Sequence, residues 1–394
     1  MARVLAAGRC AEIRAGVAEW PAPAYEAPGQ ASTVPERRAS EVEGTGVAAM
    51  LNRRTQLSLA LVAGLTLAVG IAAHAGMDAV AEVLSRLGGT ELLWLCAMQV
   101  GSVLLCGLAW WVFTIGASLV ACTAARFVRD GASSVLAIIP GMGEVAGIRA
   151  LTLFGARAGN AAGSGVIDLA TEIVAQILFT LAGVVALVGV LGWAELDHAI
   201  GIAVASVLPL VVAYLVFRIG RIRKAVVRFV ARVEHHFGLA EWGLGAEAGR
   251  TVAALWQDRP RLLAGILIHF AAWMLSALQI WYAAWALEAP LSPLGSLALA
   301  ALVHAARGVL FVVPWGAGVQ EVGFVVAGVA LGLDEPTGIA MSLAFRVRDI
   351  LLALPALLLW GVAELRELWL APKFDAQAAK AKSRPGAASS SARV

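Results

Sequence analysis

The stretch Phe311–Leu333 reads FVVPWGAGVQEVGFVVAGVALGL. It is apolar enough to lie in a bilayer, yet it carries Pro314, Gly316 and Gly318 and then an uncompensated acid, Glu321. Proline followed by closely spaced glycines interrupts the backbone hydrogen-bond ladder. Lipid offers the freed groups no water, so such backbone persists only against protein or a wet cavity. The expectation is a broken helix or re-entrant hairpin with a carboxylate at its turn. An earlier stretch, VLAIIPGMGE from Val135 to Glu144, has the same order as VLFVVPWGAGVQE from Val309 to Glu321. Both run Val-Leu, three apolar residues, proline, glycines and glutamate; here they are Pro140, Gly141, Gly143 and Glu144.

The rest of the chain fits a membrane around these breaks. Hydrophobic residues make up 60% of the 394 and charged residues 14%, with a mean hydropathy of +0.81. Those values exclude a soluble globular protein, and runs of about 20 apolar residues read as membrane spans. A net charge of only +3 argues against nucleic acid as a partner. The cysteines Cys10, Cys96, Cys106 and Cys122 show neither a C-x-x-C pair nor Cys/His spacing, so no metal or cofactor is expected. Cys96 and Cys106 lie in an apolar run and read as small core residues.

Spans are expected at Leu57–Ala75, Leu92–Ile115, Gly165–Leu191, Ala199–Phe217, Ala264–Leu287 and Gly338–Trp360. Two weaker stretches, Ala117–Ile139 with Arg126, Arg129 and Asp130, and Ser296–Val313 with His304 and Arg307, each lead into a Pro-Gly-Glu break. The positive-inside rule places both termini in the cytoplasm, from Arg53 and Arg54, the basic run Arg218–Arg232 and the Lys-bearing tail. The first hairpin then starts and returns inside, and the second outside. Each half has three crossings plus a hairpin, an odd count that makes the halves inverted repeats, as in many secondary transporters. Whether a hairpin returns or crosses fully leaves the parity unchanged. The register supports the repeat: Pro140 and Pro314 are 174 residues apart, and so are Glu172 and Arg346, and Asp168 and Ser342. The fold class expected is therefore an all-α polytopic integral membrane protein. It divides into a disordered cytoplasmic extension over residues 1–55, a transmembrane domain over 56–363, and a disordered cytoplasmic tail over 364–394. Within the domain, repeat one covers 57–191, repeat two 199–360, and a cytoplasmic amphipathic loop 218–262.

Asp168, Glu172, Gln176 and Thr180 repeat every four residues and share a helix face, as do Ser342, Arg346 and Asp349. Ionisable residues inside a membrane are costly and mark a pathway or a mutual pair. One reading is a central polar cavity lined by Glu144, Asp168, Glu172, Glu321, Arg346 and Asp349. The other puts Asp168 and Arg348 in the headgroup region and pairs Glu172 with Arg346 to lock the halves together. Glu144 with Arg149, and Glu321, flank the breaks, where half-helix N-termini would suit an anion. Each glutamate would equally cap its own half-helix. His304 and Arg307 either pair with a hairpin carboxylate or serve helix–helix hydrogen bonding. These nine residues, Glu144, Arg149, Asp168, Glu172, His304, Arg307, Glu321, Arg346 and Asp349, are the candidate substrate contacts, and no catalytic residue is expected.

Arg221–Phe237, RIRKAVVRFVARVEHHF, sets Ile222, Val226, Phe229, Val230, Val233 and Phe237 opposite Arg221, Arg223, Lys224, Arg228 and Arg232. This is a basic amphipathic helix suited to an anionic membrane surface. Trp110, Trp111, Trp193, Trp285, Trp360 and Trp369 sit near span ends and read as interfacial anchors.

The pair VLAIIPGMGEVAGIRAL and FVVPWGAGVQEVGFVVAGVALGL, followed by AMSLAFRVRDILLALPALLLW, resembles the flippase-like family of the lysylphosphatidylglycerol synthase transmembrane region. The likeness runs from Leu57 to Trp360 and within the family is strongest to the hopanoid-biosynthesis-associated membrane protein. Ser133 and Ser134 stand where relatives carry Asn. The resemblance implies a lipid-handling protein of the bacterial inner membrane that is a transporter and not an enzyme. It does not imply aminoacyl transfer, because the soluble synthase domain has no counterpart here. The function expected is translocation or export of a lipid, a hopanoid or an anionic phospholipid, by alternating access. The alternatives are an intramembrane lipid-modifying enzyme and a scaffold subunit that recruits hopanoid or lipid biosynthesis enzymes.

Overall fold

In lipid an apolar run satisfies its backbone as a helix, and helices are what this chain builds. The computed structural model describes residues 77–135, 141–192, 244–289, 291–309 and 319–382, and among these residues there is no strand. In order the helices are α1 (Met77–Phe113), α2 (Leu119–Val135), α3 (Met142–Leu153), α4 (Ala158–Leu191), α5 (Leu244–Gln257), α6 (Arg259–Ala286), α7 (Pro293–Val309), α8 (Val319–Ala330) and α9 (Glu335–Lys382). The described residues all belong to one unit, Thr55–Val394. The expected spans Leu57–Ala75 and Ala199–Phe217 lie outside the described residues. So do the basic helix with Arg221, Arg223, Lys224, Arg228 and Arg232, Trp193, residues 1–55, and Pro140, Pro314, Gly316 and Gly318.

Leu87–Phe113 of α1, all of α4 and all of α6 are long and apolar enough to cross a membrane. At about 1.5 Å per residue each exceeds a hydrocarbon core of about 30 Å. Their outer faces carry large apolar side chains, such as Leu93, Trp94, Val185 and Leu267, each more than half exposed. Water would penalise such a surface and lipid does not. The chain is an all-α polytopic membrane protein.

Helix ends follow local chemistry. Gly88, at φ 75°, kinks α1 at the start of its membrane-length part. The expected span from Gly165 begins earlier, at Ala158, because the small residues Gly159 and Gly163 pack directly on Glu247 and Thr251 of α5. Hydropathy does not register that contact. The charged stretches form α2 and α7. Beyond the breaks come α3 and α8, 12 residues each, about 18 Å and too short to span. Gly141 starts α3 in the left-handed conformation, at φ 84°. The tail expected to be disordered from residue 364 is instead helical as far as Lys382. Glu364–Leu370 and Ala376–Lys382 are rich in strong helix formers, which lets α9 continue.

Packing partners recur between the two sets α1–α4 and α6–α9. Helix α1 packs on α6. Helix α2 packs on α1, α3 and α9, while α7 packs on α6, α8 and α4. The α2–α9 and α7–α4 crossings both rest on small residues. A Cβ on Gly131 would stand 2.5 Å from Ala356 Cβ, and one on Gly183 would stand 2.0 Å from Ala301 Cβ. Close backbone approach at small residues is how membrane helices gain dispersion contact without a hydrophobic drive.

Two of the expected interfacial tryptophans are interior. Trp110 and Trp360 are buried, because each indole N–H finds an acceptor, Ser164 Oγ and Glu364 Oε1 respectively. Trp285 and Trp369 are exposed as expected.

Candidate functional site

Two buried charged networks occupy the region between the helices. The first is built on α2, where Arg126, Arg129 and Asp130 fall on one face. Arg126 meets Asp130 at 2.9 Å, Asp168 at 3.5 Å and Glu172 at 2.7 Å. Arg129 meets Glu144 at 3.3 Å, Asp168 at 3.3 Å and Glu172 at 2.9 Å. The four-residue spacing of Asp168 and Glu172 on α4 presents both carboxylates to the same two guanidiniums. His269 of α6 closes the network, its Nε2 lying 3.0 Å from Asp168 Oδ1. Arg126, Arg129, Asp168 and His269 are all buried.

The second network is built on α9. Arg346 donates to Glu321 of α8, and Arg348 donates to Gln279 of α6. Arg348 also holds Asp349 Oδ1 through Nε at 3.0 Å and Nη2 at 2.6 Å, and lies over the Phe345 ring. Gln279 donates onward to Ser102 Oγ of α1 at 3.3 Å. Gln320 donates to the Ser342 carbonyl at 3.1 Å. Arg307 of α7 lies within electrostatic reach of Asp349, Arg348, Arg346 and Glu321. His304 pairs with Ser276 Oγ at 2.7 Å, and its carbonyl accepts from Gln176 Nε2 at 3.2 Å.

Both networks reach a small cleft of about 30 Å³ between α1, α2 and α9. Its wall includes Asp130 from the first network and Asp349 from the second, with Gln99 and Ser134 as further polar groups. Their charges are unequal in sign. The first sets two arginines against four carboxylates, the second three arginines against two carboxylates.

Several expected residues are therefore brought together, but in different pairings. Glu172 does not pair with Arg346; it takes Arg126 and Arg129, and Arg346 takes Glu321. Helices α4 and α9 share the neighbours α1, α3 and α6 but make no substantial contact with each other, so the two expected partners are kept apart. Asp168 and Arg348 are buried among protein atoms. Protein donors and acceptors satisfy them there, which removes the drive to snorkel. Glu144 sits in the first turn of α3 and holds Arg129. Arg149 points elsewhere, to Glu364 of α9, through two hydrogen bonds of 2.8 Å. His304 meets a serine and not a hairpin carboxylate. Sequence reasoning omitted Arg126, Arg129 and Asp130 as site members although it noted their cost in an apolar stretch. It gave His269 and Gln279 no role.

A protein-family model described as the lysylphosphatidylglycerol synthase TM region matches residues 56–356. No curated protein and no solved structure matches the chain.

Proposed function

We propose, from the premise that this chain belongs to the lysylphosphatidylglycerol synthase TM region family, that it translocates a membrane lipid between leaflets. A membrane-lipid function follows from the family itself. The observation that carries the finer reading is the pair of buried networks of opposite excess charge on one cleft between α1, α2 and α9. Fixed charges inside a membrane are costly and are kept where they meet a polar substrate.

In this reading the phosphate of an anionic phospholipid headgroup pairs with Arg307, Arg346 and Arg348 of the second network, behind the cleft wall to which Asp349 belongs. Guanidinium forks match phosphate oxygens, and such charge-assisted bonds are the strong ones. The acyl chains stay in lipid along the exposed apolar faces. Sets α1–α4 and α6–α9 act as inverted repeats that rock about the α1–α6 contact, opening the cleft to one leaflet and then the other. The recurrence of packing partners between the two sets supports this division. The protein works as a transporter in the bacterial inner membrane, with cytoplasmic termini. Its basic stretch Arg221–Phe237 rests on the anionic surface, where lipid-synthesis enzymes would dock.

Vesicles containing the purified chain and a fluorescent phosphatidylglycerol test this. Dithionite quenching reads the rate at which label reaches the outer leaflet. The protein should accelerate exchange, and Arg307→Gln or Arg346→Gln should slow it about tenfold or more, the loss of one charge-assisted bond of roughly 1.5–3 kcal/mol. A change in lipid mass, or exchange indifferent to both substitutions, contradicts the reading.

A further inference from the structure

We infer that Cys106, Glu172 and His269 form a binding site for a thiolate-seeking divalent cation of the zinc type. Cys106 Sγ, a carboxylate oxygen of Glu172 and a ring nitrogen of His269 all lie within 4.8 Å of one another. They come from α1, α4 and α6, so no sequence spacing announces them. Cys106 and His269 are buried, and Glu172 is largely so.

Two independent observations point to a ligand. First, His269 has one ring nitrogen, Nε2, on Asp168 and the other, Nδ1, buried with no hydrogen-bond partner. A buried polar atom left unsatisfied costs about 1–3 kcal/mol. Metal-ligating histidines characteristically donate their second N–H to a carboxylate, which fixes the tautomer and presents the free lone pair to the ion. The Asp168–His269 pair supplies the carboxylate contact of that arrangement and leaves Nδ1 over. Second, the surrounding charge is unbalanced. Arg126 and Arg129 face Asp130, Glu144, Asp168 and Glu172, two cations against four carboxylates. A divalent cation supplies the missing positive charge, and Glu172, whose two oxygens are held by Arg126 and Arg129, yields one of them to the ion.

Sulfur, imidazole nitrogen and carboxylate together are donors that zinc accepts, and alkaline-earth ions disfavour thiolate. Zinc distances of about 2.0–2.3 Å put tetrahedral ligand atoms about 3.5 Å apart, so binding draws the three side chains together and ties α1, α4 and α6 at one point. The Cys106 thiol gives up its proton to the solvent as the Zn–S bond forms, and no oxidant or reductant is needed. The site stands whether or not the chain moves lipid.

The test uses the untagged full chain in detergent with Zn²⁺ or Co²⁺ as the probe. Wild-type protein should retain about one Zn²⁺ per chain after desalting. Co²⁺ should give a near-ultraviolet thiolate charge-transfer band that Cys106→Ser and His269→Ala abolish and Cys96→Ser keeps. Because those variants risk misfolding, the wild-type chain provides a second measurement. Equimolar Zn²⁺ should slow alkylation of Cys106, read by peptide mass, at least tenfold while leaving Cys96 unchanged. Absence of metal retention, a band surviving Cys106→Ser, or alkylation of Cys106 indifferent to Zn²⁺ overturns the proposal.

Discussion

Arg126 is the residue on which the first network turns. It reaches Asp130, Asp168 and Glu172 at once while its own side chain is almost fully buried. Removing one member of a buried charge pair strands the others in low dielectric, at a cost of about 3–5 kcal/mol. Arg126→Met should therefore lower the melting temperature of the detergent-solubilised chain sharply. Arg126→Met combined with Glu172→Met should recover part of that loss, since the pair is removed together. A double variant as unstable as the sum of its parts would show that the two side chains are not coupled. The stripe Asp168, Glu172, Gln176 and Thr180 was legible in the sequence from its helical period alone. Its partners were not, because Cys106 and His269 are single residues in apolar runs whose meaning arises only where α1, α4 and α6 converge.

Elements are held apart or together by very small side chains. At Gly131 the α2–α9 crossing has no room for a methyl group, with Ala356 Cβ 2.5 Å from where a Cβ would stand. Gly183 has the same relation to Ala301 at the α4–α7 crossing. Overpacking a filled contact costs about 1–3 kcal/mol. Gly131→Leu and Gly183→Leu should each destabilise by that amount in thermal melts, whereas Gly189→Leu, with open space at its Cβ, should leave stability unchanged. Equal melts for all three would contradict the packing described. Most elements were visible beforehand: the apolar runs became α1, α4, α6 and α9, and the charge-bearing stretches became α2 and α7. Their ends were less visible. The early start of α4 at Ala158 depends on contact with α5, and the continuation of α9 past Glu364 depends on helix propensity and not hydropathy.

At the scale of the whole molecule, the register of 174 residues pointed to a repeat but misassigned a contact. Equivalent positions in two repeats are related by the operation that exchanges them, and they touch only where that operation's axis passes. In the proposed repeat, helices α1 and α6, which pack together, would flank that axis. Glu172 and Arg346 do not pair; each finds its partner inside its own set, on α2 and on α8. The cleft between α1, α2 and α9 carries the functional account, since Asp130 and Asp349 bring both networks to its wall. Bridging the cleft tests that account most directly. Ser134 of α2 and Leu352 of α9 line it, and both would be replaced by cysteine in a chain with Cys10→Ser and Cys96→Ser. Reconstituted in vesicles, this variant should exchange labelled phosphatidylglycerol until a short reducible thiol crosslinker joins the two positions. It should then stop, and recover on reduction. Exchange that continues at an undiminished rate across the bridged cleft would contradict the account.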